Sequence, residues 1–205
     1  MKKPAAWFVF LVLSFGPAWS QTREKIKFLP DEEKYIMVGI LGGFFFSQDE
    51  IFREIYGDSV PFFGPELTFR FPIRDPHGLD VALAGRLLQA SGKTSYTAEE
   101  SNLRLTSFSF SLRYSFETGK FALFIGPGME YVMFKETYAE TFPVDFIQGN
   151  ESGFHFTMGG YYHLSPAFSL KGYFKYCRAE TERPGFQVKL GGTEWGAGLI
   201  YRFYL

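Results

Sequence analysis

Residues 106–116, TSFSFSLRYSF, alternate without a fault between bulky apolar side chains and small or polar ones. The bulky side chains are Phe108, Phe110, Leu112, Tyr114 and Phe116. Between them lie four serines and Arg113. Successive side chains of a β-strand point to opposite faces, so this stretch is a strand with one apolar and one polar face. The fold class depends on whether the apolar face meets a protein core or lipid.

Seven further segments show the same period of two, which predicts eight strands in all. The approximate ranges of the eight strands are 34–46, 63–73, 79–89, 103–116, 121–134, 153–164, 168–178 and 192–205. The stretch 106–116 belongs to the fourth of them. Tight polar turns join strands two and three, four and five, and six and seven, whereas the other four connections are long. Strict alternation of short and long connections predicts an up-and-down meander with short turns at one end of the barrel and long loops at the other.

The composition of the two strand faces predicts which face turns outward. On strand five, for example, Ile125 and Met129 lie opposite Gly126, Gly128 and Glu130. The interior of an eight-stranded barrel is only just wide enough for side chains to fill, so small residues and ion pairs fit there and a full set of bulky side chains does not. We therefore expect an all-β, eight-stranded antiparallel up-and-down transmembrane β-barrel with its bulky face in hydrocarbon. A soluble exported barrel of lipocalin type is the alternative.

Two strands depart from the simple pattern. Strand one, YIMVGILGGFFF, is apolar on both faces, so its register cannot be read from the sequence. Pro127 lies within strand five and cannot donate a ladder hydrogen bond, which predicts a bulge or a local break there.

The first twenty residues have the features of a cleaved signal peptide. Lys2 and Lys3 precede an apolar run of about eleven residues, which is too short for a spanning helix, and Ala18 and Ser20 fit the small-x-small cleavage rule. We expect 1–20 to be the signal peptide, 21–33 a periplasmic N-terminal segment and 34–205 the barrel.

Composition excludes several function classes. The formal net charge is −1, whereas a nucleic-acid binder is strongly basic, so we expect no nucleic-acid partner. The chain has one cysteine, Cys177, and therefore no internal disulfide. Aromatic residues make up 20% of the chain, a composition that suits burial in lipid.

The last predicted strand, WGAGLIYRFYL, places Tyr201, Phe203 and Leu205 on one face. This strand resembles the C-terminal recognition strand of bacterial outer-membrane proteins, although the family ends in Phe or Trp and this chain ends in Leu. With the signal peptide and the eight strands, the chain resembles the small outer-membrane β-barrel families of the OmpX, OmpW and OmpA membrane-domain kind, often called the porin family. The resemblance implies the outer membrane of a Gram-negative (diderm) bacterium and both termini in the periplasm. It also implies contact with lipid and lipopolysaccharide, insertion by the barrel-assembly machinery and a monomeric state.

A set of charged and histidine side chains is expected to line the lumen. Its members are Glu66, Arg70, Asp80, Arg86, Arg104, Arg113, Glu130, His155, His163, Lys171, Lys175, Glu194 and Arg202. Buried charges must be paired, so we expect an internal network that plugs the lumen. The expected function is a structural, adhesion-like or ligand-contacting surface role, and a narrow conduit for ions or small molecules is the alternative.

The first long loop predicts a short helix over residues 48–56. Ser47 and Glu50 have capping-box spacing, and Gly57 is placed to end the helix. Its apolar stripe consists of Ile51, Phe52, Ile55 and Tyr56. We expect the stripe to pack on the barrel rim or to dip into the membrane interface, with a lid or a ligand contact as the alternative.

Catalysis is not indicated by the sequence. His155 and His163 lie about 26 Å apart along one strand, at ~3.3 Å per residue, so they cannot share a site. We identify no catalytic residues, no metal-ligand spacing and no phosphate loop, and we expect no cofactor and no enzymatic activity.

Overall fold

The computed structural model describes residues 34–93, 100–138, 146–183 and 186–204. The expected signal peptide, the segment 21–33 and Leu205 lie outside these described residues.

Eight strands form a closed antiparallel barrel, which confirms the predicted fold class. The barrel strands are β1 (Tyr35–Ser47), β2 (Val60–Arg74), β3 (His77–Lys93), β4 (Glu100–Thr118), β5 (Phe121–Tyr138), β6 (Phe146–His163), β7 (Phe168–Arg178) and β10 (Gly192–Tyr204). Each pairs with its sequence neighbours, and β1 closes the ring against β10. The connection between β7 and β10, expected as a loop, contains a separate hairpin of β8 (Glu180–Arg183) and β9 (Phe186–Lys189).

The two ends of the barrel differ as the connection lengths predict. Short turns at 75–76, 119–120 and 164–167 lie at the end where β1 begins and β10 stops; we call this the turn end. The long connections lie at the opposite, loop end. Gly119 has φ 59°, a left-handed conformation that suits glycine in a two-residue turn.

The bulky face points outward. Phe108, Phe110, Leu112 and Tyr114 are all exposed, whereas the serines at 107, 111 and 115 and Arg113 are buried. The belt of exposed apolar side chains continues around the barrel, with Ile40 at 72% and Phe154 at 71% exposure. The soluble lipocalin-type alternative is therefore wrong, because a soluble barrel does not present such a continuous apolar belt to water.

The structure resolves the register of β1, which both neighbouring strands determine. Met37 pairs with Arg202 of β10 and Thr68 of β2, which turns it inward, and Ile40 and Phe44 face outward.

At Pro127 the predicted disturbance is a local gap. The β4–β5 ladder has no register partners at Leu112 and Arg113, while Pro127 still pairs with Phe156 on the β6 side. The ladder resumes in the same register on both sides of the gap, so the disturbance is not a bulge.

Helix α1 (Glu50–Tyr56) lies in the first long loop, and its N-cap differs from the prediction. Asp49, rather than Ser47, is the N-cap residue, and its carboxylate accepts hydrogen bonds from the backbone N–H groups of Ile51 and Phe52 at 2.9 and 3.1 Å. Ser47 is still the last residue of β1, so its backbone belongs to the ladder, and its hydroxyl accepts from the N–H of Asp49. Gly57 ends the helix at φ 90°, in agreement with the prediction. Among the described residues, no helix has the length and apolar character needed to cross a membrane.

Candidate functional site: the barrel lumen

The barrel interior holds twelve of the thirteen side chains assigned to the lumen network, and each is at most 8% exposed. They sit there because they occupy the alternate strand positions opposite the bulky residues. The assignment of Arg104 to the lumen is wrong. Arg104 shares the parity of Phe108 and Phe110 on β4, and it is exposed on the outer wall.

Glu117 is the centre of a charged layer at the turn end. Its carboxylate lies 3.0 Å from Nη2 of Arg70 and 2.9 Å from Nε2 of His163. The Tyr35 hydroxyl donates to it at 3.1 Å, and Arg202 approaches at 3.9 Å. The sequence reasoning missed Glu117 because it assigned this residue to the turn, although it continues the inward parity of the serines and Arg113.

Asp80 completes the turn-end layer. Its carboxylate lies 3.6 Å from Nη1 of Arg70 and accepts a hydrogen bond from Ser115 at 2.9 Å. The side chain of Asp80 is fully buried. A carboxylate without partners would be costly at such a site, so Arg70 and Ser115 make its burial possible.

Glu66 is the centre of the middle layer. It accepts from Arg113 at 3.0 and 3.3 Å and from Nζ of Lys171 at 2.6 Å to each oxygen. Both cations also lie over the ring of Phe124, at 4.9 and 5.0 Å from its centroid. The Glu66 carboxylate is thus the shared acceptor of two buried cations, and the Phe124 ring packs against both of them.

The third layer, nearer the loop end, is a square of four charges. Lys175 lies 3.0 Å from both Glu130 and Glu194. Arg86 lies 3.2 Å from Glu130 and also contacts Glu194. Two cations and two carboxylates therefore balance, as charges removed from water require.

The two lumen histidines occupy separate positions, as their strand separation predicts. His155 contacts the hydroxyl of Ser111 at 2.9 Å. Nδ1 of His163 contacts the hydroxyl of Ser169 at 2.9 Å, and its other nitrogen faces Glu117. This Ser–His–Glu arrangement has the residue types of a hydrolytic triad, but Ser169 and His163 are 0% and 2% exposed, so a substrate cannot reach the hydroxyl.

An apolar layer of buried side chains lies above the three charged layers, and the sequence reasoning missed it. Its members are Phe45, Val60, Phe62, Leu88, Leu103, Leu105, Val132, Phe134, Cys177, Ala179 and Leu190. The available signal was that Leu103, Leu105, Val132 and Phe134 continue the inward parity of their strands. The strands therefore become apolar on both faces near the loop end, which a reading based on polar inward positions overlooks.

Helix α1 lies against this apolar layer. Phe52 makes an edge-to-face contact with Phe45, with ring centroids 6.0 Å apart, and Phe52 and Tyr56 both pack on the layer. Gly92 of β3 allows the close approach, since a Cβ there would lie 2.0 Å from the carbonyl oxygen of Ile55. Ile51, assigned to the packed stripe, is 67% exposed and takes no part in the contact.

The Tyr56 hydroxyl ties the end of α1 to two barrel strands. It lies 2.6 Å from the Ser101 hydroxyl and donates to the carboxylate of Glu136, which also accepts from Ser101 at 2.8 Å. Burial and the hydrogen bond to Glu136 raise the pKa of the Tyr56 hydroxyl well above its usual value. The hydroxyl therefore remains a donor at physiological pH.

Among the described residues, no group of three or more His, Cys, Asp or Glu side chains is arranged to hold a metal ion.

Comparison with known protein families and structures gives a family match over most of the chain. A family model described as "Outer membrane protein beta-barrel domain" matches residues 35–203. A search of curated proteins finds no match.

Three solved structures are similar in fold. OprG from Pseudomonas aeruginosa is 16% identical, with 85% of this chain and 97% of that chain covered and a TM-score of 0.55. A major outer membrane protein from Thermus thermophilus is 14% identical, with coverage of 83% and 99% and a TM-score of 0.55. Neisserial surface protein A is 14% identical, with coverage of 83% and 97% and a TM-score of 0.52. At these identities the likeness concerns the fold alone.

Proposed function

We propose that this chain, which belongs to the outer membrane protein β-barrel domain family, acts in the outer membrane as a closed barrel whose loop end makes the functional contacts. Its role is then a structural or surface-contact one rather than transport through the lumen. We further propose that both termini lie on the periplasmic side, so that the loop end faces outward.

The proposal is supported by the two kinds of buried side chains that occupy the lumen. Three layers of buried ion pairs fill the lower part, centred on Glu117, Glu66 and the Glu130–Glu194 pair. The apolar layer fills the upper part, where Phe52 of α1 packs against it. An ion crossing the barrel would have to separate buried charge pairs and then enter an apolar region, and both steps are unfavourable.

The helix provides a sharp test, because two neighbouring side chains on it have different surroundings. Phe52→Ser removes the ring that packs on Phe45, whereas Ile51→Ser changes an exposed side chain and serves as the matched control. We expect no stable conductance steps in planar bilayers from the wild type or from Ile51→Ser. Phe52→Ser loosens the cover of the apolar layer, but the three charged layers still fill the lumen below it, so we expect no stable conductance steps from this variant either; steps from Phe52→Ser alone would show that the helix, rather than the charged layers, keeps ions out.

Well-defined conductance steps from the wild-type protein would support the narrow conduit and contradict the closed barrel. Heat-modifiable mobility on gels confirms that each variant is folded before it is measured. The orientation is measured independently of conductance by the access of a protease or a membrane-impermeant label to the long loops on intact cells.

Catalysis is not part of the proposed function. Ser169→Ala and His163→Gln would remove the only Ser–His–Glu arrangement described above, and we expect neither change to abolish any activity measured for the protein in esterase or deacylase assays.

Assembly is proposed to depend on the last strand. Tyr201 and Phe203 both face outward from β10, with their ring centroids 4.5 Å apart. We propose that they and Leu205 form the segment recognised by the barrel-assembly machinery, and that the inserted protein is a monomer in contact with lipid and lipopolysaccharide. Replacement of Phe203 with Ser is expected to lower the amount of inserted barrel in cells without changing refolding into detergent. An equal loss in both settings would instead indicate a role in stability.

A further inference from the structure

Two cations stand side by side on the outer wall near the loop end. Arg104 of β4 and Lys135 of β5 are direct register partners, and both side chains are exposed. Side chains opposed in this way have Cβ atoms about 4.5–5.5 Å apart, and like charges at that separation destabilise the pairing.

Elsewhere among the described strand pairs, directly opposed Asp or Glu and Lys or Arg side chains have opposite signs. Lys93 faces Glu100 across the same β3–β4 ladder that continues past Arg104. In the lumen, Arg70 faces Asp80 and Glu194 faces Lys175. The Arg104–Lys135 pair breaks this pattern, and its repulsion must be offset by something outside the sheet or tolerated as a cost.

The outward positions around the pair carry no carboxylate in the described part of the chain. Gln89 and Gln148 extend the row on either side through the neighbouring strands. The adjacent rows consist of Ser91, Asn102, Thr137 and Phe146 on one side and Leu87, Thr106, Met133 and Asn150 on the other. No ion pair joins Arg104 or Lys135 to any described residue. The ammonium of Lys135 lies 4.9 Å from the centroid of the exposed Phe146 ring.

The height of the pair corresponds to the lipid headgroups. The outward apolar side chains of β5 run from Phe121 to Met133, a span of about 40 Å along the strand at ~3.3 Å per residue. With the usual strand tilt of ~35–45°, this span is about 30 Å along the membrane normal, close to the thickness of the hydrocarbon core. Lys135 is the next outward residue beyond Met133, so the pair lies where the hydrocarbon ends.

We propose that Arg104 and Lys135 together bind a phosphate group of a lipid headgroup in the leaflet at the loop end. A guanidinium presents a fork of N–H donors that matches phosphate oxygens, and the neighbouring ammonium adds a second positive charge. The bound phosphate offsets the repulsion between the two cations. The class of lipid, a phosphorylated glycolipid of the outer leaflet, rests on the orientation proposed above.

The first test asks whether the effect of each substitution on resistance to urea has opposite signs in two environments. In dodecyl maltoside micelles, which contain no phosphate, Arg104→Gln and Lys135→Gln should each increase resistance to urea because they remove repulsion. In bilayers containing bisphosphorylated lipid A, the same substitutions should decrease resistance because they remove a phosphate ligand. The control Lys93→Gln removes an exposed lysine that faces Glu100, and it should not change sign between the two environments. A change of the same sign in both environments for Arg104→Gln and Lys135→Gln would overturn the proposal.

The second test measures lipid binding directly, by native mass spectrometry of the full chain with lipid A and with its dephosphorylated form. A cation near a charged membrane surface contributes about 1 kcal/mol, so each substitution should weaken binding of the phosphorylated form roughly five-fold, and the double variant roughly 25-fold. The dephosphorylated form should bind weakly to all variants.

Three results of the binding experiment would refute the inference. The first is equal binding of the two lipid forms by the wild type. The second is a loss of lipid A binding in Lys93→Gln as large as that in Arg104→Gln or Lys135→Gln. The third is displacement of lipid A by inorganic phosphate when both supply the same concentration of phosphate groups. The last would assign the site to free phosphate rather than to a lipid. Neither cation faces the lumen, so failure here is separate from failure of the closed barrel, which conductance measures.

Discussion

Replacing Glu66 with Gln tests whether the lumen network stabilises the barrel. Glu66 is 3% exposed and is the carboxylate shared by Arg113 and Lys171, with donor distances of 2.6 to 3.3 Å. Gln keeps the volume and can accept one or two hydrogen bonds, but it leaves two buried cations without a counter-charge. Loss of one partner from a buried ion pair costs about 3–5 kcal/mol, so we expect the free energy of unfolding to fall by about that amount.

Urea unfolding in lipid vesicles measures the effect. Trp195 is 59% exposed on the outer face of β10 and its fluorescence reports the loss of lipid contact. Glu50→Gln is the matched control, since Glu50 is 92% exposed in its side chain and lies 3.9 Å from Arg53. Such an exposed pair contributes little, and we expect no measurable change.

A second substitution separates the loss of charge pairing from other causes. Adding Lys171→Met to Glu66→Gln removes one of the two stranded cations, so the double variant should be more stable than Glu66→Gln alone. The reasoning about the shared carboxylate is refuted if the free energy of unfolding of Glu66→Gln lies within about 1 kcal/mol of the wild-type value. It is also refuted if adding Lys171→Met to Glu66→Gln lowers that free energy further.

Three further predictions concern the apolar layer, the helix and the outer wall. Leu105→Ala should lower the free energy of unfolding by about 2–5 kcal/mol because it opens a cavity in the apolar layer, whereas Leu112→Ala, on the outward face of the same strand, should cost less in the same urea titration. Tyr56→Phe should speed hydrogen exchange in α1, because it removes the hydroxyl bonded to Glu136 and Ser101, and unchanged exchange would show that the apolar contacts alone hold the helix. Ile125→Arg, near the middle of the outward apolar band of β5, should lower the free energy of unfolding in lipid vesicles by about 2–4 kcal/mol. A smaller loss in Ile125→Arg than in Met133→Arg, which lies at the edge of the band, would contradict the position assigned to the band.

The sequence alone determined the architecture of this protein. Strand side chains alternate with a period of two, so a stretch such as 106–116 reveals its two faces without knowledge of its neighbours. The alternation of short turns and long connections then determined the order of pairing, and the volume available inside eight strands determined which face turned outward. The helix of the first long loop was also predicted, because its apolar stripe and its final glycine are local signals, although its N-cap is Asp49 rather than Ser47.

The errors of the sequence reasoning about the lumen concern residues near the ends of strands. Glu117 was assigned to a turn and Arg104 to the lumen, although the parity of Ser115 places Glu117 inside and that of Phe108 places Arg104 outside. The apolar layer was missed for a related reason, since Leu105 and Val132 are apolar residues on inward positions that were expected to be polar.

The tertiary structure alone decided the partners across the lumen and the register of β1. Lys171 and Glu66 are 105 residues apart along the chain, and only closure of the ring brings their charges to 2.6 Å. β1 is apolar on both faces, so its own side chains do not select a register, and pairing with both β2 and β10 selects it instead. Period and turn chemistry are local properties that a sequence carries, whereas contacts across a closed barrel depend on the shear and closure of all eight strands together.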